Sequence, residues 1–357
     1  MPSLLKRRLF GGVIALSGAL LAVWLQTPLP WLLGPLITVA AFRLASLPVA
    51  CSVSIRCVGQ WAIGAALGLY FTPQIVEMIS HYWMLALTGM TFALLLAVLG
   101  TFMLHKIGGA DIRTAWFASA IGSASEMTVL SERHGGRVDL VASAHSLRIL
   151  MVVVIIPFAF QTLGISGNDL SATGAKVVHL LGLMLLVALT VFGGFVFQRL
   201  GISNSWVLGP LSVSMLLTMS GIHLSSMPES FSMAGQLFIG WALGDKYRPE
   251  FFRAAPRFLT AVFLFTSVAL LLTLGLSHAV STFTMISQPT LLLGFAPGGI
   301  AEMAITAKVL KLGVPLVIAL QVSRMFLVVM VTGPLFVHVV NRLLPPPELP
   351  ASSISSS

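Results

Sequence analysis

Ten long apolar stretches are separated by short polar breaks. They lie near 9–26, 31–48, 53–72, 84–104 and 138–163, then near 178–198, 204–221, 229–245, 257–280 and 313–341. An α-helix needs about 20 apolar residues to cross about 30 Å of hydrocarbon. The stretches lack the strict alternation of a membrane β-barrel, so the pattern predicts spanning helices. Between the fourth and fifth stretch of each half the pattern changes. Segments 112–136 and 283–310 are apolar but broken by small residues, IGSASEM at Ile121–Met127 and PGGIAEM at Pro297–Met303. These read as re-entrant hairpins. Arms of roughly ten residues rise about 15 Å each, enough to reach the bilayer midplane.

The chain is a duplication. Trp31-Leu-Leu-Gly-Pro-Leu36 returns as Trp206-Val-Leu-Gly-Pro-Leu211. At an offset of 176 residues, Gly59-Gln60, Gly64, Gly68 and Pro73 return as Gly235-Gln236, Gly240, Gly244 and Pro249. The same offset pairs Gly122, Glu126, Met127 and Arg148 with Gly298, Glu302, Met303 and Arg324. A first repeat over 1–169 and a second over 170–342 follow, with a Pro- and Ser-rich tail at 343–357 expected to be disordered.

Charge decides whether the copies are parallel or inverted. If the special segments cross the membrane, each half has six spans, and Lys and Arg fall evenly on the two sides. If they enter and return, each half has five spans and the copies are inverted. Fifteen Lys and Arg then lie inside, against Lys176, Lys308 and Lys311 outside. The positive-inside rule favours the second arrangement, with both termini cytoplasmic. The start, Lys6-Arg7-Arg8 and an apolar run, also resembles a signal peptide. The equivalent stretch in the second half favours a retained span.

Composition excludes several classes. Of the 357 residues 57% are hydrophobic and 9% charged, whereas soluble domains carry about 25% charged residues. The lipid bilayer is thus an expected partner. The net charge of +9 invites a nucleic-acid reading, but the basic residues sit at helix ends, so no nucleic acid is expected. Cys51 and Cys57 have no zinc-like spacing and read as packing thiols. No metal cluster, phosphate loop or nucleophile–base pair is visible. Neither an enzyme nor a cofactor is expected.

The candidate residues cluster in the repeats. Gly298 and Gly299 suit a hairpin tip, and the helix starting near Ile300 aims its N–H groups there. Glu126 and Glu302 read as ion-binding carboxylates or as first-turn charges. Arg148 and Arg324 each follow their glutamate by 22 residues. They read as substrate clamps, or as partners locking hairpin to helix through an ion pair with that glutamate. His145 and Gln321 lie one turn before the arginines. His145 reads as a proton relay or a structural hydrogen bond. Gln60 and Gln236 sit among glycines spaced for close helix packing and read as packing or cavity residues. Asp245 and Lys246 close the ninth span and read as interfacial.

The duplicated Leu-Gly-Pro motif, the Gly-Gln helix, the Pro-Gly-Gly hairpin and the following arginine resemble the AbrB membrane protein family of bacteria. This is the duplicated integral membrane family, not the small soluble DNA-binding protein of that name. The resemblance covers roughly 10–342 and implies an inner-membrane protein. Family members carry the labels regulator of gene expression and ammonia monooxygenase. Neither label follows from these residues, which include no DNA-binding domain and no copper or iron ligand set. Some relatives resemble one half, which fits inverted copies pairing; a homodimer is compatible with that logic. More distantly, the architecture is similar to cation/proton antiporter-like folds with re-entrant elements. One departure stands out. The first copy reads Ile121-Gly122-Ser123 in place of Pro-Gly-Gly, so Ser123 and Ser125 offer hydroxyls where the second copy offers backbone.

The expectation is an all-α polytopic membrane protein of two inverted repeats, each with five spans and one hairpin. Its expected activity is secondary transport of a small polar or anionic metabolite coupled to H⁺ or Na⁺. The alternative is a membrane-embedded regulator acting through a cytoplasmic partner.

Overall fold

The computed structural model describes residues 4–167, 178–247 and 255–340. The tail 343–357 and most of the loop between Lys246 and Arg257 lie outside the described residues. Within them the chain is helical, without strands. The first half gives α1 (Leu4–Trp24), α2 (Pro30–Leu44), α3 (Val53–Gly68), α4 (Pro73–His81), α5 (Trp83–Lys106), α6 (Ile112–Ser119), α7 (Ala124–Arg133) and α8 (Val138–Thr162). The second gives α9 (Leu180–Arg199), α10 (Ser205–Met219), α11 (Glu229–Gly244), α12 (Pro256–Phe283), α13 (Gln288–Phe295), α14 (Ile300–Val309) and α15 (Val314–Leu335).

Six helices, α1, α5, α8, α9, α12 and α15, are each long and apolar enough to cross a bilayer. The chain is a membrane protein. The other four expected spans are shorter. Helices α2 and α10 have 15 residues, α3 and α11 have 16, or about 22–24 Å at 1.5 Å per residue. The sequence pattern ran α3 on to residue 72. Instead it ends at Gly68, and the chain bends by 87° into α4. Thr72 caps α4 by accepting the Ile75 N–H at 3.4 Å, with Pro73 at its first position.

The helices sort into two bundles, each drawn from both halves. One contains α1, α2, α3, α9, α10 and α11; the other contains α5 to α8 and α12 to α15. Glycine makes the first bundle tight. A Cβ on Gly34 would strike the backbone of Gly18, and one on Gly209 would strike Gly193. These pairs bring α2 onto α1 and α10 onto α9, so the Leu-Gly-Pro motif is a packing motif. The halves also exchange helices. Gly64 and Gly68 of α3 lie against the carbonyls of Val207 and Leu211 in α10. Reciprocally, Gly240 and Gly244 of α11 lie against those of Leu32 and Leu36 in α2. Such contact without side chains is how membrane helices gain packing where hydrophobic driving force is absent.

The second bundle holds two helical hairpins. Helix α6 runs in, α7 runs back, and the Arg137 N–H beyond α7 bonds to Thr114 Oγ1 near the start of α6 at 2.8 Å. Helices α13 and α14 repeat this, with the Gly313 N–H bonding to Thr290 Oγ1 at 3.3 Å. The reversals are at Ala120–Ser123 and Ala296–Gly299. Ala120 (ψ 129°) and Ala296 (ψ 140°) take extended backbone and stop the first arms.

Candidate functional site

Each hairpin tip is held from the helix that follows it. Arg148 of α8 donates from Nη1 to the Ala120 carbonyl at 3.2 Å. His145 bonds the Phe117 carbonyl through Nε2 at 3.0 Å and Arg148 Nη2 through Nδ1 at 2.8 Å. Guanidinium only donates, so Nδ1 accepts, Nε2 carries the proton, and the imidazole is neutral. His145 thus links the Phe117 carbonyl to Arg148. In the second copy Gln321 takes its place. Gln321 donates to the Leu293 carbonyl at 2.6 Å and accepts from Arg324 Nη2 at 2.6 Å. Arg324 also donates to the carbonyls of Ala296 and of Gly298, the latter at 2.9 Å. Both arginines therefore cap the C-terminal ends of α6 and α13, where unpaired carbonyls concentrate negative charge.

This revises the ion-pair expectation. The arginines lock hairpin to helix, but through backbone carbonyls; neither makes a salt bridge with its glutamate. The glutamates are not equivalent. Glu126 is half-buried and accepts a hydrogen bond from Ser203 Oγ at 3.0 Å. Ser203 also bonds Ser123 Oγ at 3.0 Å, which bonds Ser125 Oγ at 3.0 Å. Glu302 is 9% exposed. Its carboxylate folds back over Gly299, where a Cβ would strike it. Among the described residues no side chain hydrogen-bonds it.

A cavity of about 250 Å³ lies where the two tips converge. Gly122, Ser123, Ala124 and Ser125 line it from the first tip, and Pro297, Gly298, Gly299, Ile300, Ala301 and Glu302 from the second. Arg148 reaches it from α8, Arg56 and Gln60 from α3, Trp206 from α10 and Lys246 from the end of α11. Helices α7 and α14 both start here, and neither Ser123 nor Gly299, the residues at their N-caps, caps its first N–H groups with a side chain. Two partial positive ends thus face one space. Lys246 interacts with Glu302 and with Arg56 through space, without a salt bridge. The walls carry three cations against one carboxylate.

A second cavity, of about 580 Å³, includes Trp31, Tyr70, Glu229, Ser232, Gln236, Lys308 and Lys311 in its wall. Lys308 Nζ donates to Ser232 Oγ there at 2.9 Å. The two cavities lie at opposite ends of the α3–α11 pair. Arg56 and Gln60 near the start of α3 line the smaller, Ala66 near its end the larger, and α11 does the reverse. Gln60 and Gln236, equivalent in sequence, therefore serve different cavities. Between them α3 and α11 close on each other, Gly59 against Phe238 and Gly235 against Ile63.

A family model described as "Transition state regulatory protein AbrB" matches residues 31–341. The chain belongs to the AbrB family. Two relatives match over nearly the whole length. "Uncharacterized protein YhjN" of Bacillus subtilis (strain 168) is 27% identical, covering 99% of this AbrB chain and 98% of that protein. "Putative regulator AbrB" of Escherichia coli (strain K12) is 24% identical, covering 93% and 95%.

Of the sequence candidates in this AbrB protein, Glu302, Arg148, Ser123, Gly298, Gly299 and Gln60 meet in the smaller cavity. Glu126, Arg324, His145 and Gln321 support the tips from outside it. Arg56 and Lys246 were missed. Their signal lay in the repeat, since at the 176-residue offset Arg56 faces Ser232 and Lys246 faces Tyr70. At both positions one copy carries a charge and the other does not.

Proposed function

We propose that this protein is a secondary transporter of a small anionic metabolite, coupled to H⁺ or Na⁺ and working by alternating access. One observation carries the reading. Two cavities sit at opposite ends of the α3–α11 pair, and both hairpin tips face only the smaller one. In this reading the halves are inverted repeats with ten spans, the hairpin mouths open to opposite sides, and both termini are cytoplasmic in a bacterial inner membrane. Half-helices whose N-termini point at a central site recur in transporters of this kind. Rocking one bundle against the other would hand the tips from the smaller cavity to the larger. The arginine caps keep each hairpin rigid during that movement.

The test is flux into proteoliposomes. A pool of small carboxylates is offered under a pH gradient or a Na⁺ gradient, to wild type and to Lys246→Ala. Wild-type uptake under one gradient, reduced at least tenfold in the variant, is the expected result. Uptake unaffected by the variant would remove the smaller cavity from the pathway. The name of the Escherichia coli relative favours a second reading, a regulator acting through a cytoplasmic partner. Its docking surface would be the basic loop from Lys246 to Arg257. Neutralising Arg248, Arg253 and Arg257 would then abolish a regulatory response, whereas the transport reading expects unchanged flux.

A further inference from the structure

Building on the transport reading, we propose that the Glu302 carboxylate is a tethered stand-in for the substrate: it occupies the seat that a free carboxylate takes during transport. The seat is the start of α14. There the N–H groups of Ile300, Ala301 and Glu302 have no intrahelical acceptor, and Gly299 provides no cap. A buried helix start without a cap needs a partner. The Glu302 side chain turns back over Gly299 and sets its carboxylate at that start. It does so while 91% buried, lining the cavity and hydrogen-bonded to no side chain among the described residues. A residue built for packing would be apolar here, and one built for an ion pair would reach Lys246. Instead Lys246 and Arg56 stay apart from it, leaving a space ringed by positive charge.

The ligand class follows from what already fills the seat. A planar carboxylate fits between this helix start and the cations. The cavity volume of about 250 Å³ equals roughly eight waters at about 30 Å³ each, so the ligand is small. Two carboxylates cannot share the seat, because like charges at such range repel. A free carboxylate enters once Glu302 has taken a proton and turned away. One H⁺ thus accompanies each anion, and loss of that proton after release returns Glu302 to the seat. The ionisable groups facing Glu302 across the cavity are Arg56 and Cys57 from α3, Arg148 from α8 and Lys246 after α11, with Tyr247 beside them and Arg324 behind the tip on the Gly298 carbonyl. Apart from Cys57 and Tyr247, which are neutral in the working range, all are cations. Glu302 is therefore the carboxylate that titrates here.

The experiment is a binding measurement and needs no flux. Detergent-purified wild type and Glu302→Gln are titrated with succinate and with acetate between pH 5.5 and 8.0, following the shift in thermal unfolding. For wild type the apparent Kd should rise with pH, approaching about tenfold per unit once Glu302 is ionised. Glu302→Gln, an uncharged isostere, should bind with little pH dependence and at least tenfold more tightly than wild type at pH 8.0. Wild-type binding that does not change with pH would overturn the proposal, and this outcome needs no variant. So would loss of binding in a Glu302→Gln protein that still unfolds cooperatively, since Glu302 would then be a ligand rather than a competitor. Failure of both proteins to bind either carboxylate would overturn the ligand class. Binding as expected without flux in proteoliposomes would sink the transport reading and leave the seat standing.

Discussion

At the scale of single residues, the buried arginines show how a membrane protein keeps a charge without a counter-ion. Arg324 is 4% exposed and bonds two carbonyls and the Gln321 amide. The two carbonyls lie at the C-terminal end of α13, whose dipole supplies the negative charge that a carboxylate would otherwise bring. Removing the guanidinium strands three buried acceptors. Hydrogen bonds to charged groups are worth about 1.5–3 kcal/mol each, so Arg324→Ala should lose about 3 kcal/mol or more. A clear fall in the unfolding temperature of the detergent-purified protein is the check. Arg324→Lys keeps the charge but not the planar fork and should recover less than half of that loss. Full recovery by lysine would mean that charge alone, and not its geometry, holds the tip.

At the scale of elements, the helices were legible where apolar length or a repeated small-residue break announced them. Both hairpins fell within the expected segments, because Gly122 and Pro297-Gly298-Gly299 interrupt otherwise apolar runs. Helix α4 was not legible. Gly68 to Thr72 reads as the end of a span, and only the cap at Thr72 and Pro73 reveals a new helix. The roles of His145 and Gln321 were hidden too, since two different side chains hold the same carbonyl on α6 and α13. The glycines on α3 and α11 were read correctly as packing, but their partners were not deducible, because spacing says nothing about which helix approaches. Those partners now make a prediction. Gly64→Val and Gly240→Val each force a side chain into a backbone carbonyl. Overpacking of this kind costs about 1–3 kcal/mol. Both variants should unfold at lower temperature by similar amounts, since the contacts are equivalent. Gly275, with open space around it, should tolerate the same change with little loss.

At the scale of the molecule, the duplication in sequence does not become two separate lobes. Each bundle mixes helices of both halves. The inverted reading has a direct check. In a protein lacking Cys51 and Cys57, a cysteine is placed at exposed Arg137 or exposed Lys311, one beside each hairpin mouth. A membrane-impermeant maleimide applied to whole cells should label Lys311→Cys. It should label Arg137→Cys only after permeabilisation. Labelling of both from one side would rule out inversion and leave parallel copies. Asymmetry between the copies was the least legible feature at this scale. The strongest sequence signal is likeness, whereas the smaller cavity takes Arg56 and Lys246, where the copies differ, and only one of the paired glutamates, Glu302.

The exchange of helices between halves also sets a timetable for synthesis. Helix α3 is made early, with Gly64 and Gly68 bare along one side. The carbonyls that cover them, at Val207 and Leu211, are translated roughly 140 residues later. At about 5–20 residues per second, that is a wait on the order of ten seconds. The nascent first half sits in the bilayer for that time with an unpaired groove, and only the arrival of α10 closes it. A chain terminated after α8 never reaches that moment, and the quality-control proteases of the membrane should clear it.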